Sequence, residues 1–193
     1  MVQNIWKDGV FGLIVGDALG VPVEFSSREE CEHNPVIGMR AYGTHNQPAG
    51  TWSDDSSMTL ATLDSIKQKG KIDYKDLMDK FTEWCLYADY TPFQEVFDIG
   101  VATSRAIIQH GKGTDPIDCG GKTEWDNGNG SLMIILPVCL YLYNRQKMIC
   151  TSENESIYLI HNVSALTHAH LRSQIACGIY YFMVKSVLSR EGD

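Results

Sequence analysis

Apolar residues along the chain recur mostly at intervals of three and four, the spacing that lines one face of an α-helix. Trp6, Val10, Leu13 and Ile14 form one such stripe and predict a first helix from about Val2 to Leu19. Met58, Ala61, Leu63 and Ile66 mark a second, which opens near Asp55 and is stopped by Gly70 after Lys69. Asp73 is a natural N-cap for a third, with Asp76 in its first turn, Leu77, Phe81, Trp84 and Cys85 inward, and an end near Ala88. Pro92 suits the start of a fourth, which runs to His110 and stops at Gly111. Ser131–Tyr143 reads as a fifth in which Pro137 demands a kink or a break. Ser152-x-x-Glu155 is a capping box that opens a sixth, and a last apolar helix spans about His168 to Leu188. No segment alternates with the period of two expected of a strand. The expected class is all-α: a multi-helix globule forming one domain over 1–193.

Two stretches break the pattern. Residues 20–52 carry Gly, Pro, Asn and Ser signals without a period and read as a long ordered loop, with Phe25 and Tyr42 favouring order. Residues 111–129 are glycine-rich and read as a second functional loop. Within the first helix Gly12, Gly16 and Gly20 stand four apart. An interior glycine costs about 1 kcal/mol against alanine, so the ladder implies close backbone approach. Helix packing accounts for Gly12, while Gly16 borders a motif.

Composition narrows the function classes. The 193 residues are 44% hydrophobic and 21% charged, an ordinary folded composition. Sixteen basic against 24 acidic residues give a net charge of −8, which argues against binding a polynucleotide backbone. A small phosphorylated ligand remains compatible, since backbone N–H groups or a metal can hold it locally. No apolar run is long enough to span a membrane, and Met1–Lys7 lacks signal-peptide features. The six cysteines, at 31, 85, 119, 139, 150 and 177, include no C-x-x-C pair. They read as free thiols of a cytoplasmic protein.

Four polar clusters carry candidate chemistry. Trp52-Ser53-Asp54-Asp55-Ser56-Ser57 places a hydroxyl and two carboxylates at a helix start. One cap needs one acceptor, so the surplus of hard oxygen donors suits Mg²⁺ or Mn²⁺ as well as capping. In the stretch Gly16 to Glu24, GDALGVPVE, Asp17 and Glu24 lie near a sharp turn. Asp126-Asn127-Gly128-Asn129-Gly130-Ser131 alternates Gly and Asn before a helix, a pattern open to both a mobile turn and an anion-cradling nest. Thr167-His168-Ala169-His170-Leu171-Arg172-Ser173 puts His168 and Arg172 four apart, on one face if helical. Helix capping accounts for His170, while a ligand contact and a structural role weigh equally for His168.

The succession GDALGVPVE, GTWSDDSSM, NGNGSLM and THAHLRS, from Gly9 to Leu188, resembles the ADP-ribosylglycohydrolases, the family of the dinitrogenase-reductase-activating glycohydrolase. The resemblance implies an all-helical fold around a binuclear Mg²⁺ or Mn²⁺ centre, and hydrolysis of the glycosidic bond between ADP-ribose and its acceptor. By it, Ser53, Asp54 and Asp55 match metal ligands, with Asp55 and Glu24 placed at the reacting bond. Gly128, Asn129, Gly130 and Ser131 match the loop that holds the diphosphate and distal ribose, with backbone N–H donors. His168 matches a histidine that approaches the ligand, and Asp17 a structural position. These residues are expected to face one cleft.

Two departures qualify the match. The family often has Arg after the Met of its glycine loop, where this chain has Ile134 after Met133. The family's C-terminal Gly-rich D-x-D-T/S motif has no counterpart after Leu188, where the sequence reads Ser189-Arg190-Glu191-Gly192-Asp193. The reading is therefore a fold without its C-terminal portion: a fragment, a short homologue, or a chain completed by another subunit. Ser53, Asp54 and Asp55 then form a metal half-site, and an exposed apolar patch and homo-oligomerisation are expected. The alternatives are an inactive ADP-ribose-binding module and a helical interaction or inhibitor protein that keeps only the scaffold.

Overall fold

The computed structural model describes residues 4–148 and 152–190. Its α-helices, in chain order, are α1 (Ile5–Gly20), α2 (Arg28–His33), α3 (Asp54–Lys69), α4 (Tyr74–Tyr87), α5 (Val101–Gly111), α6 (Gly130–Met133), α7 (Leu136–Met148), α8 (Glu153–Ala165) and α9 (Leu171–Arg190). Short 3₁₀ turns occupy Val21–Val23, Gly43–His45, Pro116–Asp118 and Glu124–Asp126. Among the described residues there is no strand, in agreement with the all-α reading, and no helix is long and apolar enough to cross a membrane. Cys150 lies outside the described residues, and Cys31, Cys85, Cys119, Cys139 and Cys177 are unpaired.

The boundaries of α3 and α4 follow from their caps. The Ser53 hydroxyl accepts from the Asp55 amide, Asp73 accepts from the Asp76 amide, and Gly70 and Ala88 end their helices in left-handed conformation. The main core gathers Met58, Leu77, Phe81, Trp84, Ile134, Leu142, Ile160 and Tyr181 from α3, α4, α7, α8 and α9 and the α6–α7 link. Each such side chain stabilises the fold by roughly 1.5–3 kcal/mol relative to exposure. A second cluster, of Val10, Leu136, Leu140, Tyr143 and Leu188, seats α1 against α7 and α9.

Four boundaries differ from the sequence pattern. The 20–52 loop contains α2, opened by a capping box in which Ser27 accepts from the Glu30 amide and Glu30 accepts from the Ser27 amide. The fourth predicted helix begins at Val101 rather than Pro92, because Gln94 and Asp98 take left-handed dihedrals that no α-helix accepts. The predicted Ser131–Tyr143 helix divides at Ile134–Ile135, which places Pro137 in the first turn of α7 where its missing N–H costs nothing. The last helix begins at Leu171, after His168.

The glycine ladder of α1 also plays a different part. A Cβ at Gly12, Gly16 or Gly20 would meet nothing within 4 Å, so tight helix packing does not explain them. All three line an open cleft. On α9, Leu171, Ile175, Ile179, Phe182, Met183 and Val187 form an outward apolar stripe, each at least 45% exposed.

Candidate active site

The cleft has a volume of about 920 Å³, within the range of small-molecule sites. α1 supplies Gly12, Gly16 and Asp17, the following turn Glu24, and the start of α3 Ser53, Asp54 and Asp55. The far wall holds Asp98, Thr103, Trp125, Gly128, Asn129, Gly130 and His168. Thus Glu24, the Ser53–Asp55 cluster, the 128–130 loop and His168 line one cleft.

Asp17 anchors that arrangement. Its Oδ1 accepts from the Ser53 hydroxyl (2.8 Å), and its Oδ2 accepts from the Ser53 amide (3.0 Å), the Ser56 amide (3.0 Å) and the Ser56 hydroxyl (2.5 Å). A carboxylate from α1 thereby occupies the N-terminus of α3, where orphan N–H groups and the helix dipole favour a negative charge. The Ser53 hydroxyl spends its proton on Asp17 and one lone pair on the Asp55 amide, leaving the other free for a ligand. Trp52 fixes the approach by donating its indole N–H to the Tyr90 carbonyl (3.0 Å).

With Asp17 capping the helix, Asp54 and Asp55 are surplus to that task. Asp54 is only 8% exposed. Burial, with the charges of Asp55, Asp98, Asp17 and Glu24 added, pushes its pKa up to about 8, and no hydrogen bond opposes the rise. Asp55 has access to solvent from the cleft, yet the walls still strip much of its hydration. That desolvation, followed by Asp17, Glu24 and Asp98, raises it to about 6. Five carboxylates line the cleft without a single Lys or Arg. Hard oxygen donors in such excess fit a divalent cation. Ser53, Asp54 and Asp55 line this cleft, and among the described residues the ligand atoms of Glu24, His45 and Asp98 converge to within 4.8 Å of one another.

Glu24 sits across from this cluster. Its Oε2 lies 2.6 Å from His45 Nε2, and Asp98 Oδ2 lies 4.0 Å from the same nitrogen. Burial raises the Glu24 pKa; the His45 hydrogen bond opposes the rise and the Asp98 charge adds to it. Neither His45 nor Asp98 belongs to a motif that the sequence reading singles out. Both are lone polar residues in irregular backbone, and only the tertiary turn brings them to Glu24.

The glycine loop is shaped around His168. A Cβ at Gly130 would lie 2.7 Å from the His168 ring, and one at Gly128 3.5 Å from it. His168 is buried, its Nδ1 lies 2.9 Å from the Thr167 hydroxyl, and desolvation lowers its pKa, so it faces the cleft as a neutral imidazole. It precedes α9 rather than riding on it. The expected common face with Arg172 is therefore absent, and Arg172 is exposed at the second position of α9. His170 instead caps that helix, its Nδ1 accepting from the Arg172 amide. Ser131 turns away from the cleft: it is fully buried, and its hydroxyl accepts from the Cys177 thiol. The expected role of Ser131 rests on its backbone N–H at the start of α6, and the buried side chain takes no part in it. Ile134 is likewise fully buried, so no cation stands in for the missing arginine there.

This geometry agrees with what the chain is similar to. The ADP-ribosylarginine hydrolase Tri1 of Pseudomonas putida strain GB-1 is 30% identical over 165 residues, which cover 84% of this chain and 41% of that protein. The ADP-ribosyl-[dinitrogen reductase] glycohydrolase of Rhodospirillum rubrum is 29% identical over 94% of this chain and 57% of its own length. A solved ADP-ribosylglycohydrolase-related protein complex superposes with a TM-score of 0.72 at 28% identity, covering 97% of this chain and 57% of that one. The chain thus spans about half the length of the relatives it matches. The model of the family described as ADP-ribosylglycohydrolase matches residues 4–193, every residue that lines the cleft included, and the chain belongs to that family.

Proposed function

We propose that this chain carries the metal- and substrate-binding part of an ADP-ribosylglycohydrolase, which hydrolyses the glycosidic bond between ADP-ribose and its acceptor. The observation that supports the reading best is the meeting of the Ser53–Asp55 donors, Glu24 and the Gly128–Gly130 loop with His168 in one cleft. Arginine is the first acceptor to test, since relatives are named as ADP-ribosylarginine hydrolases.

In this reading Ser53, Asp54 and Asp55 hold Mg²⁺ or Mn²⁺, part of the binuclear centre expected of the family. When bound, the metal would fix ribose hydroxyls and lower the pKa of a water. The chain's own groups do the rest. Gly128 and Gly130, which carry no side chains, let the backbone approach the diphosphate, and neutral His168 borders it. Asp55, which lines the cleft beside Glu24, is placed to orient an attacking water or take its proton. The water oxygen bonds to the anomeric carbon as the bond to the acceptor breaks through an oxocarbenium-like state. Glu24, its pKa raised by burial, is placed to return a proton to the leaving acceptor.

The decisive assay is release of ADP-ribose from ADP-ribosylated arginine with Mg²⁺ or Mn²⁺, beside an Asp55→Asn control. Metal-dependent release lost in the control supports the enzyme. Binding of ADP-ribose without release supports a second reading, an ADP-ribose-binding module. That reading is favoured by the count of donors: Ser53, Asp54 and Asp55 supply only half of the roughly six ligands that Mg²⁺ takes. The α9 stripe adds self-association or a completing subunit to both readings, and the unpaired cysteines suit a cytoplasmic setting.

A further inference from the structure

The turn Gly43–His45 lies clamped over Pro22–Glu24. Gly43 has a left-handed φ of 51°, and a Cβ there would meet the Pro22 carbonyl at 2.1 Å, so only glycine fits. Thr44 donates its hydroxyl to the Glu24 carbonyl at 2.6 Å. His45 then reaches the Glu24 carboxylate itself at 2.6 Å. With a carboxylate as acceptor, that ring nitrogen carries the proton.

The imidazole is wedged between two aromatic rings, Phe25 with its centroid at 6.1 Å and Phe97 at 5.2 Å. These are the sequence neighbours of Glu24 and Asp98, the two carboxylates that His45 faces. Phe25 and Asp98 both take left-handed backbone, at φ 63° and 56°. One partly buried ring, its side chain 14% exposed, is thus flanked by two acid–phenylalanine pairs, one from the turn after α1 and one from the segment before α5.

We infer that His45 is a positioning residue for the hydrolysis proposed above: through its Nε2–H it fixes the Glu24 carboxylate toward the cleft and holds Asp98 beside it. The inference rests on that functional reading for its catalytic consequence but not for its geometry. One oxygen of Glu24 is engaged by His45, which leaves Oε1 for the leaving group. Without the imidazole the Glu24 side chain gains rotamers, and two carboxylates face each other with nothing between them.

The test compares wild type with His45→Ala, His45→Gln, Glu24→Gln and the double variant His45→Ala/Glu24→Gln in the full chain. For His45→Ala, kcat on ADP-ribosylated arginine is expected to fall by roughly 10- to 100-fold, the usual cost of losing a residue that orients a catalytic group, with KM little changed. His45→Gln, which keeps an N–H donor, should recover most of it. The double variant should be no worse than Glu24→Gln alone, because the two residues act as a unit. A readout independent of turnover is the Glu24 carboxyl titration by carbon NMR. Its midpoint should move up in His45→Ala and back in His45→Gln, with Asp98, Asp54 and Asp55 present in every protein. An unmoved Glu24 titration in His45→Ala overturns the inference, as does loss confined to KM and melting temperature. A wild-type chain that neither binds nor releases ADP-ribose overturns the proposed function instead, while the titration still decides the role of His45.

Discussion

Asp17 accepts hydrogen bonds from both the amide and the hydroxyl of Ser53, 36 residues further along the chain. The pairing locks the C-terminal half of α1 to the N-terminus of α3 and turns the Ser53–Asp55 segment into the cleft. Hydrogen bonds to a charged group contribute about 1.5–3 kcal/mol each. Asp17→Asn, which removes the charge and sets an N–H against donors, should therefore lower unfolding free energy by about 3 kcal/mol in urea denaturation. It should also weaken Mn²⁺ binding in calorimetric titration. Retention of both properties would show that the anchor is dispensable.

Asp54 makes stability depend on pH. Its pKa of about 8 stands above that of an unfolded aspartate, so between the two values the native state holds more protons than the unfolded state. Stability of the metal-free protein should then fall as pH rises from about 4 to about 8. Mg²⁺ or Mn²⁺ should reverse the fall by binding the ionised form. Asp54→Asn should flatten the pH profile of the melting temperature, raise metal-free stability at pH 8 and abolish the metal's effect. A melting temperature of wild type that rises over that interval without metal would contradict the assignment.

The glycine loop offers a paired test. At Gly130 an added Cβ would lie 2.7 Å from His168, while at Gly128 the nearest contact is an ordinary 3.5 Å. Gly130→Ala should displace the imidazole, costing about 1–3 kcal/mol of stability as overpacking does, and weaken ADP-ribose binding. Gly128→Ala should leave stability within about 0.5 kcal/mol of wild type. Equal destabilisation by the two variants in thermal melts would mean that His168 does not set the loop's shape.

On α9, Ile179 and Met183 are 56% and 63% exposed at the centre of the apolar stripe. Light scattering of the wild-type chain should report association at micromolar concentration. Ile179→Glu/Met183→Glu should shift it to monomer with little change in melting temperature. A monomeric wild type would remove the oligomer from the reading.

The helices with strong terminal signals were legible in the sequence. Ser53, Gly70 and Asp73 delimit α3 and α4 because caps act locally. The fourth helix misled because Gln94 and Asp98 adopt left-handed backbone, a choice imposed by tertiary contacts that periodicity does not see. Ser27-x-x-Glu30 was a visible capping box inside a stretch read as loop, masked by the absence of an apolar face on so short a helix. Ser53, Asp54, Asp55 and Glu24 stood out because the motifs place them in clusters. His45 and Asp98 did not, since each gains its meaning from a partner 21 or more positions away or across the cleft. Ser131 shows what a motif leaves out: the loop is read for its backbone donors, while the hydroxyl belongs to the core.

The cleft's lack of Lys and Arg has a kinetic consequence. With Asp54 protonated below about pH 8, the carboxylates around the cavity that are ionised still create a negative potential that slows the approach of any anion. ADP-ribose, with its diphosphate, would meet that barrier at full height in the metal-free protein and a lower one once a divalent cation has entered. If the proposed function holds, the acid load imposes an order on binding, cation before nucleotide. The association rate for ADP-ribose should then rise with Mg²⁺ or Mn²⁺ concentration until the site fills, and the barrier should relax at high salt even without metal.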